Sequence, residues 1–273
     1  MTVKEKIEFL NSKKQYDFED LILLVEVLRS EEGCPWDREQ DHHSIRKDLI
    51  EETYEVIEAI DTEDPVLLRE ELGDLLLQVV FHAQIEREKK SFDMQDVAND
   101  ICVKLIHRHP HVFGEVEADT SAQVLANWEV IKSEEKERIT VTDKLRAIPP
   151  MLPALMRAQK VGKKASCFDF ADADEVISKI EEELDELREA ISFKNQENMQ
   201  EELGDLLLSV TSLARHLHID SEEALVRATD KFIDRFEIVE EAVLSQKKEL
   251  QDFTTEELNQ IWDQNKHKKA QKN

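Results

Sequence analysis

The chain has 273 residues, and its composition excludes several classes of protein. Only five glycines and six prolines are present while 40% of the residues are hydrophobic, which favours packed helices over a Gly-rich nucleotide-binding sheet, a sandwich or a barrel. A formal net charge of −26 disfavours nucleic acid polymers and anionic membranes as partners.

Hydrophobic periodicity and capping residues predict helices in both halves of the chain. Those of the first half cover residues 18–32, 43–61, 65–90, 93–108 and 121–137. Those of the second half cover residues 153–164, 172–193, 196–217, 221–247 and 254–268. Asp93, Asp220 and the capping box Thr254-x-x-Glu257 mark three of the helix starts. No segment alternates as a strand does, so the sequence predicts an all-α fold.

The cysteines and the N-terminus bear on the cellular compartment. Cys34, Cys102 and Cys167 are far apart and form neither a Cys-x-x-Cys pair nor a zinc-binding pattern, which fits a reducing compartment. The sequence has no signal-peptide pattern and no apolar run of the ~18 residues that a membrane span needs. We therefore expect a soluble, cytoplasmic protein.

An internal repeat is the most informative feature of the sequence. The octapeptide Glu-Glu-Leu-Gly-Asp-Leu-Leu-Leu begins at Glu70 and again at Glu201, and Glu-Glu-x-x-Glu precedes it at 51–55 and at 182–186. The segment 148–153 between the two copies is the densest proline cluster in the chain, and prolines stop helices. We predict two tandem helical-bundle domains, residues 1–148 and 149–273, each with a carboxylate-bearing antiparallel helix hairpin.

Each half carries four acidic residues at the same spacing on two consecutive predicted helices. Acids three residues apart share one helix face, and a short connection makes the two helices antiparallel. Folding therefore brings together one cluster in each half: Glu52, Glu55, Glu71 and Asp74, and Glu183, Glu186, Glu202 and Asp205. Oxygen ligands on rigid helices suit Mg²⁺, with Mn²⁺ as a possible substitute. The alternative is a charged helix face in solvent.

Two features favour the metal site over the charged face. The segment 75–81 that follows Asp74 is apolar nearly all round, which predicts a buried helix, and a buried carboxylate needs a cation or strong donors. Gly73 and Gly204 lie within helices, where glycine costs about 0.5–1 kcal/mol relative to alanine. We expect another helix or a ligand to approach closely there, with a local bend as the alternative.

Each half also carries a Lys-x-x-x-Arg pair, Lys104 with Arg108 and Lys231 with Arg235. Like charges at this spacing repel, which favours an anion bound between them, while salt bridges to neighbouring acids are the alternative. Arginine suits bidentate contact with phosphate, and lysine acts as a point charge. Lys179, one turn before the second acid cluster, is a further candidate for phosphate binding.

A tryptophan lies on the last predicted helix of each half. Trp128 and Trp262 are each followed four residues later by a lysine, Lys132 and Lys266. This arrangement fits a nucleobase platform, while ordinary core packing is the alternative. The sequence leaves both interpretations open.

These residues together resemble the MazG family, the two-domain form of the all-α nucleoside triphosphate pyrophosphatases. Besides the acids, the motifs that carry the resemblance are Cys34-Pro35-Trp36-Asp37, Lys104-x-x-x-Arg108-His-Pro-His-x-Phe113 and Asn127-Trp128-Glu129. The resemblance covers nearly the whole chain. It implies a Mg²⁺-dependent homodimer that hydrolyses nucleoside and deoxynucleoside triphosphates to the monophosphate and pyrophosphate.

The resemblance also implies roles for individual residues, and in two-domain members the second half usually carries catalysis. The implied metal ligands are Glu183, Glu186, Glu202 and Asp205, the implied phosphate ligands are Lys179, Lys231 and Arg235, and Trp262 would stack on the base. In the first half the corresponding candidates for substrate binding are Lys104, Arg108 and Trp128.

Both halves depart from the family pattern at one place. Asp48 stands in the first half where Lys179 stands in the second, with Lys47 one position away. The segment 167–170, Cys-Phe-Asp-Phe, replaces Cys-Pro-Trp-Asp in the second half with a shift of one residue. Whether the first half turns over substrate or only binds it is therefore left open.

The hypothesis for the reaction is in-line attack of a metal-activated water on the α-phosphorus, with pyrophosphate leaving. Glu182 is a candidate general base, although the sequence does not single it out. Two rival functions stay open: a non-enzymatic helical regulator that responds to nucleotide or metal, and a narrow dUTP or dCTP pyrophosphatase.

Overall fold

The computed structural model describes residues 1–135 and 140–265. These residues form helices and no strand, which confirms the all-α prediction. None of the described helices is long and apolar enough to cross a membrane. The chain separates into two compact units, Met1–Glu135 and Lys136–Asn273, while the domain limits at 148 and 149 stay a prediction.

The first unit contains eight helices among its described residues. They are α1 (Val3–Ser12), α2 (Phe18–Leu28), α3 (Pro35–Glu39), α4 (Arg46–Asp61), α5 (Pro65–Glu88), α6 (Met94–Arg108), α7 (Pro110–Phe113) and α8 (Ser121–Glu135). The five predicted helices of this half are α2, α4, α5, α6 and α8, and the last two predicted positions of α8 lie outside the described residues.

Two features of the first unit differ from the prediction. Helix α1 was not predicted, although Thr2 and Glu5 form a capping box at its start. Helix α2 ends at Leu28 rather than at residue 32 because the following residues turn back over the C-terminal end of this helix. The Cys34 amide donates to the Leu28 carbonyl at 2.7 Å, and a Cβ at Gly33 would lie 2.1 Å from the Val27 carbonyl oxygen. Only glycine fits this close approach.

The core of the first unit lies between α2, α5 and the start of α4. Its buried residues are Val25, Ile45, Val80, Phe81 and Ile85. Helix α5 therefore contributes its second half to this core, and its first half packs along α4. The hairpin α4–α5 is thus fixed at one end by core packing while its other end carries the acids.

The second unit repeats the long hairpin. Its described helices are α9 (Val141–Arg146), α10 (Ala154–Lys164), α11 (Ala173–Phe193), α12 (Gln196–His216), α13 (Ser221–Leu244) and α14 (Thr255–Asn265), with short 3-10 turns at Ser166–Phe168 and Leu250–Asp252. Asp220 caps α13, and the capping box of Thr254 and Glu257 precedes α14, as predicted. Helix α9 was not predicted, and the predicted positions 266–268 lie outside the described residues.

The segment before α11 is held to the end of α12 by charge. The Asp169 carboxylate accepts from both terminal nitrogens of Arg215 and lies 3.0 Å from His216 Nε2. The Arg215 guanidinium holds the pKa of Asp169 well below its usual range. A Cβ at Gly162 would lie 3.2 Å from Arg215 Nε, so the glycine lets α10 pack against this side chain. These contacts fix the direction in which α11 starts.

Candidate active site

The two carboxylate hairpins are built by the same local devices. Asp64 caps α5 and Asn195 caps α12, each accepting hydrogen bonds from two amides of the first turn. Glu63 and Lys194, which come just before these caps, both adopt φ of 53° and reverse the chain. The second helix of each hairpin consequently packs back along the first, α5 on α4 and α12 on α11.

Each hairpin brings three glutamates into one cluster. One carboxylate oxygen from each of Glu52, Glu55 and Glu71 lies within 4.8 Å of the other two in the first unit. The second unit does the same with three further residues, again with oxygens within 4.8 Å: Glu183, Glu186 and Glu202. Three hard oxygen donors at this separation fit a Mg²⁺ ion, whose remaining positions water and phosphate would fill. The ligand roles themselves stay a prediction.

Asp74 and Asp205 differ from the prediction. Both are exposed, and neither belongs to the group of three glutamates beside it. The helix after Asp74 is buried on one face only, beginning at Gln78, so the argument that burial forces a cation onto these aspartates is wrong. Each aspartate lies one helical turn beyond a clustered glutamate, from which position it can support the site from its solvent side.

The two glycines beside the acids also differ from the prediction. A Cβ at Gly73 or at Gly204 would meet no atom of the described residues within 4 Å. No described helix approaches them closely, so the predicted approach of another helix is absent among the described residues, while the approach of a ligand and the local bend stay predictions.

Mutual repulsion makes both clusters receptive to a cation. Partial burial, and then the charges of Asp74 and Glu55, raise the pKa of Glu52 to about 7. Burial followed by neighbouring carboxylates also raises the pKa of Glu71, and the same causes raise the pKa of Glu202. A bound cation would relieve this repulsion. Repulsion among the glutamates, rather than burial of the aspartates, is therefore the physical reason to expect a metal site.

One lysine distinguishes the second cluster from the first. Lys179 Nζ lies 2.8 Å from Glu183 Oε1 and 2.9 Å from Glu182 Oε1, and Glu183 is buried. These two carboxylates raise the pKa of Lys179, first through their hydrogen bonds. The first unit has Asp48 at the corresponding position, which adds a negative charge instead. Glu182, the candidate base, is therefore held in place by a cation.

In the Lys-x-x-x-Arg pair of the first unit the arginine is not available to an anion, whereas Lys104 is exposed. Arg108 is 6% exposed, and its Nε and Nη2 atoms donate to Glu135 Oε2 at 3.1 and 2.5 Å. The Arg108 guanidinium also lies 5.1 Å from the centre of the Trp128 ring. The salt-bridge alternative therefore holds for Arg108. Glu135 was missed in the sequence, although it lies two turns after Trp128 on the same helix face.

The corresponding pair of the second unit is open. Lys231 is exposed, and among residues 140–265 neither Lys231 nor Arg235 has a carboxylate within salt-bridge distance. Arg235 lies 6.0 Å from the centre of the Trp262 ring, and Phe232 packs against the same ring at 5.2 Å. The predicted companion of this tryptophan, Lys266, lies outside the described residues.

The raised pKa of Glu52 predicts a pH dependence of stability in the metal-free protein. The folded state keeps this proton up to about pH 7, whereas the unfolded state loses it near 4.5. The stabilising contribution is therefore complete below pH 4.5 and is lost as the pH rises through about 7. Urea unfolding in EDTA is expected to show stability falling over this window in wild type, and less so in Glu52→Gln.

The control for this prediction is Glu58→Gln, which removes an exposed acid from the same helix and should keep the wild-type slope. Saturating Mg²⁺ should flatten the wild-type dependence because the ion replaces the proton. Equal slopes in wild type and Glu52→Gln would contradict the coupling of these carboxylates.

Comparison with known proteins agrees with this geometry. The MazG nucleotide pyrophosphohydrolase domain matches residues 40–113 and 171–239, which include both hairpins. A nucleoside triphosphate pyrophosphohydrolase/pyrophosphatase MazG of Thermotoga maritima is 45% identical over 91% of this chain and 95% of that protein. A nucleoside triphosphate pyrophosphohydrolase of Escherichia coli K12 is 44% identical over 89% of this chain and 95% of that protein.

A third relative, an uncharacterized protein of Bacillus subtilis named YabN, is 40% identical over 92% of this chain and 52% of that protein. The predicted resemblance, the tandem arrangement and the predicted class of enzyme, a hydrolase acting on acid anhydrides, are confirmed. The chain belongs to the MazG family of nucleotide pyrophosphohydrolases.

Proposed function

We propose that the chain hydrolyses nucleoside and deoxynucleoside triphosphates to the monophosphate and pyrophosphate, and that the second unit does so. The observation that carries this proposal is the contrast between the units. Both have a cluster of three glutamates, but only the second adds a lysine beside its cluster, Lys179, and an arginine without a carboxylate partner among the described residues, Arg235. The names of the Thermotoga and Escherichia relatives, both nucleoside triphosphate pyrophosphohydrolases, support the substrate class.

Mg²⁺ is the proposed cofactor, with Mn²⁺ as a substitute. Glu183, Glu186 and Glu202 would hold it, because their oxygens are hard donors already brought close together, and Asp205 would support it from one turn further along α12. When bound, the ion neutralises phosphate charge and lowers the pKa of the water that attacks the α-phosphorus.

The side chains of the second unit then share the work of binding and orientation. Arg235 offers a planar fork to two phosphate oxygens, and Lys231 adds a point charge one turn earlier on the same helix face. Lys179 holds Glu183 and offsets the charge of the cluster as the triphosphate arrives. Trp262 supplies the apolar face on which the base stacks. Glu182 stays the candidate general base, positioned by its hydrogen bond to Lys179.

A homodimer is part of the proposal. Leu203 and Leu207 of α12 are 48% and 49% exposed although they stand beside the acids, and Leu72 and Leu76 of α5 are exposed in the same way. We propose that a second copy of the chain buries these leucines, since burying them would also exclude water from the acids.

Sedimentation velocity tests the dimer and should give a dimeric species. A monomer at micromolar concentration would contradict this part of the proposal.

The reaction itself is tested by its products in ¹⁸O-labelled water. Each of the eight standard nucleoside and deoxynucleoside triphosphates is incubated with the protein and Mg²⁺, and products are identified by mass spectrometry. We expect monophosphate and pyrophosphate, with the label in the monophosphate because water attacks the α-phosphorus. Label in the pyrophosphate would contradict this point of attack.

The same panel separates the rival functions. Cleavage restricted to dUTP or dCTP would establish the narrow pyrophosphatase. No turnover of any nucleotide, with Mg²⁺-dependent nucleotide binding intact, would establish the regulator and overturn the proposal.

Arg235→Ala and Arg108→Ala form a matched pair of variants. Arg235→Ala should lower kcat/KM by about thirtyfold, equivalent to about 2 kcal/mol, because it removes charge-assisted hydrogen bonds to phosphate, and it should leave unfolding nearly unchanged. Arg108→Ala should lower the free energy of unfolding by about 2 kcal/mol because it removes the charge-assisted hydrogen bonds between this buried guanidinium and Glu135, with a smaller change in kcat/KM. Steady-state kinetics and urea unfolding measure both, and the reverse pattern would place the phosphate site in the first unit.

A further inference from the structure

At the end of helix α6 in the first unit, an arginine is paired with a carboxylate from the same unit. Arg108 is the last residue of α6 and Glu135 is the last residue of α8, and the two side chains meet across 27 residues of sequence. Nε and Nη2 of the guanidinium both donate to Glu135, at distances between 2.5 and 3.3 Å. His107 Nε2 lies 3.8 Å from the same carboxylate. This is the fork geometry with which arginine binds a phosphate oxygen pair.

The tryptophan of this unit contacts two cations. The Trp128 ring has the Arg108 guanidinium at 5.1 Å and Lys132 Nζ at 4.5 Å from its centre. Both cations lie at cation–π distance from the ring. Arg108 is therefore engaged both by Glu135 and by the Trp128 ring.

The second unit provides the comparison within one molecule. Arg235 lies at 6.0 Å from the Trp262 ring, and no carboxylate of residues 140–265 pairs with it. Phe232 packs against Trp262 at 5.2 Å. Within the described part of the chain, the arginine beside the tryptophan is thus paired with a carboxylate in the first unit and is not in the second.

We infer that Glu135 is a built-in competitor for nucleotide: its carboxylate occupies the phosphate position on Arg108, and removing it opens a second nucleotide site in the first unit. The inference rests on the proposed function only for the class of ligand, a nucleoside polyphosphate bound with Mg²⁺. A tethered carboxylate is always present at its arginine, so a free nucleotide must displace it and lose that charge-assisted pair.

The acids of the first unit do not by themselves explain a closed site. Glu52, Glu55 and Glu71 repel a bare triphosphate, but the cation that would sit among them offsets this charge. Asp48 weakens the site further because the second unit has a lysine there. The opened site should therefore bind nucleotide more weakly than the second unit does, and it should require Mg²⁺.

The test counts bound nucleotide by isothermal titration calorimetry on the full chain. The ligand is α,β-methylene-ATP with saturating Mg²⁺, which cannot be cleaved between the α and β phosphates, and inorganic tripolyphosphate serves as a base-free probe. We expect one analogue per chain in wild type and two in Glu135→Gln, with the added site at least about tenfold weaker than the first. Hydrolysis by the second unit should be unchanged in Glu135→Gln.

Two control variants isolate the effect of the carboxylate. Glu88→Gln neutralises the partner of Arg29, another buried arginine of the same unit, and should keep one analogue per chain. Glu135→Asp keeps the negative charge and should also bind one analogue per chain. That result would show that loosening helix α8 does not by itself open a second site. Two analogues in Glu88→Gln or Glu135→Asp would overturn the inference.

Two analogues in wild type, or a single one in a cooperatively unfolding Glu135→Gln, would also overturn it. If Glu135→Gln fails to unfold cooperatively, Glu135→Ala takes its place: it also removes the carboxylate and should bind two analogues per chain, and a single one overturns the inference. The count is read from binding, so absence of turnover in the product panel would contradict the proposed function without deciding this inference.

Discussion

Three carboxylates held together on a rigid hairpin are the constraint on which the rest of the site depends. The oxygens of Glu183, Glu186 and Glu202 lie within 4.8 Å of one another because the two packed helices hold these residues side by side. Such a group is unfavourable until a proton, a cationic side chain or a metal ion offsets its charge. The fold supplies the necessary rigidity through the capped, tightly turned hairpin between Lys194 and Gln196.

The two units resolve this repulsion differently. In the second unit Lys179 contacts the buried Glu183, so part of the charge is already offset and the lysine stands next to the place where phosphate would arrive. In the first unit Asp48 replaces that lysine, and the pKa of Glu52 rises to about 7. The same contrast recurs at the arginines, where Arg108 is paired with Glu135 and Arg235 is left open among the described residues. A duplicated unit has thus kept its acids while its cations have diverged in role.

Much of this arrangement could be predicted because its determinants are local. The spacing of Glu52 and Glu55 on one helix, a short turn and Glu71 on the next suffice to bring three acids together, and the repeated octapeptide shows that the unit occurs twice. The starts of α13 and α14 followed from their caps for the same reason.

What could not be predicted depends on contacts between distant parts of the chain. An apolar run such as Leu75–Phe81 predicts a buried helix, but which of its faces is covered depends on the packing of α2 and α4, and Val79 stays exposed. The pairing of Arg108 with Glu135 joins two helix ends that no local spacing relates. Helices α1 and α9 are short, so periodicity gave a weak signal, and only their capping boxes marked them.

The two glutamate clusters are alike in form, but we propose that only the second supports hydrolysis. The most direct measurement compares Glu186→Gln with Glu55→Gln, which remove equivalent carboxylates from the two clusters. Both variants are assayed for monophosphate and pyrophosphate release with Mg²⁺ after their folding has been checked by circular dichroism. We expect Glu186→Gln to abolish turnover and Glu55→Gln to leave it nearly unchanged. Loss of turnover in Glu55→Gln, or its survival in Glu186→Gln, would show that hydrolysis does not belong to the second cluster alone.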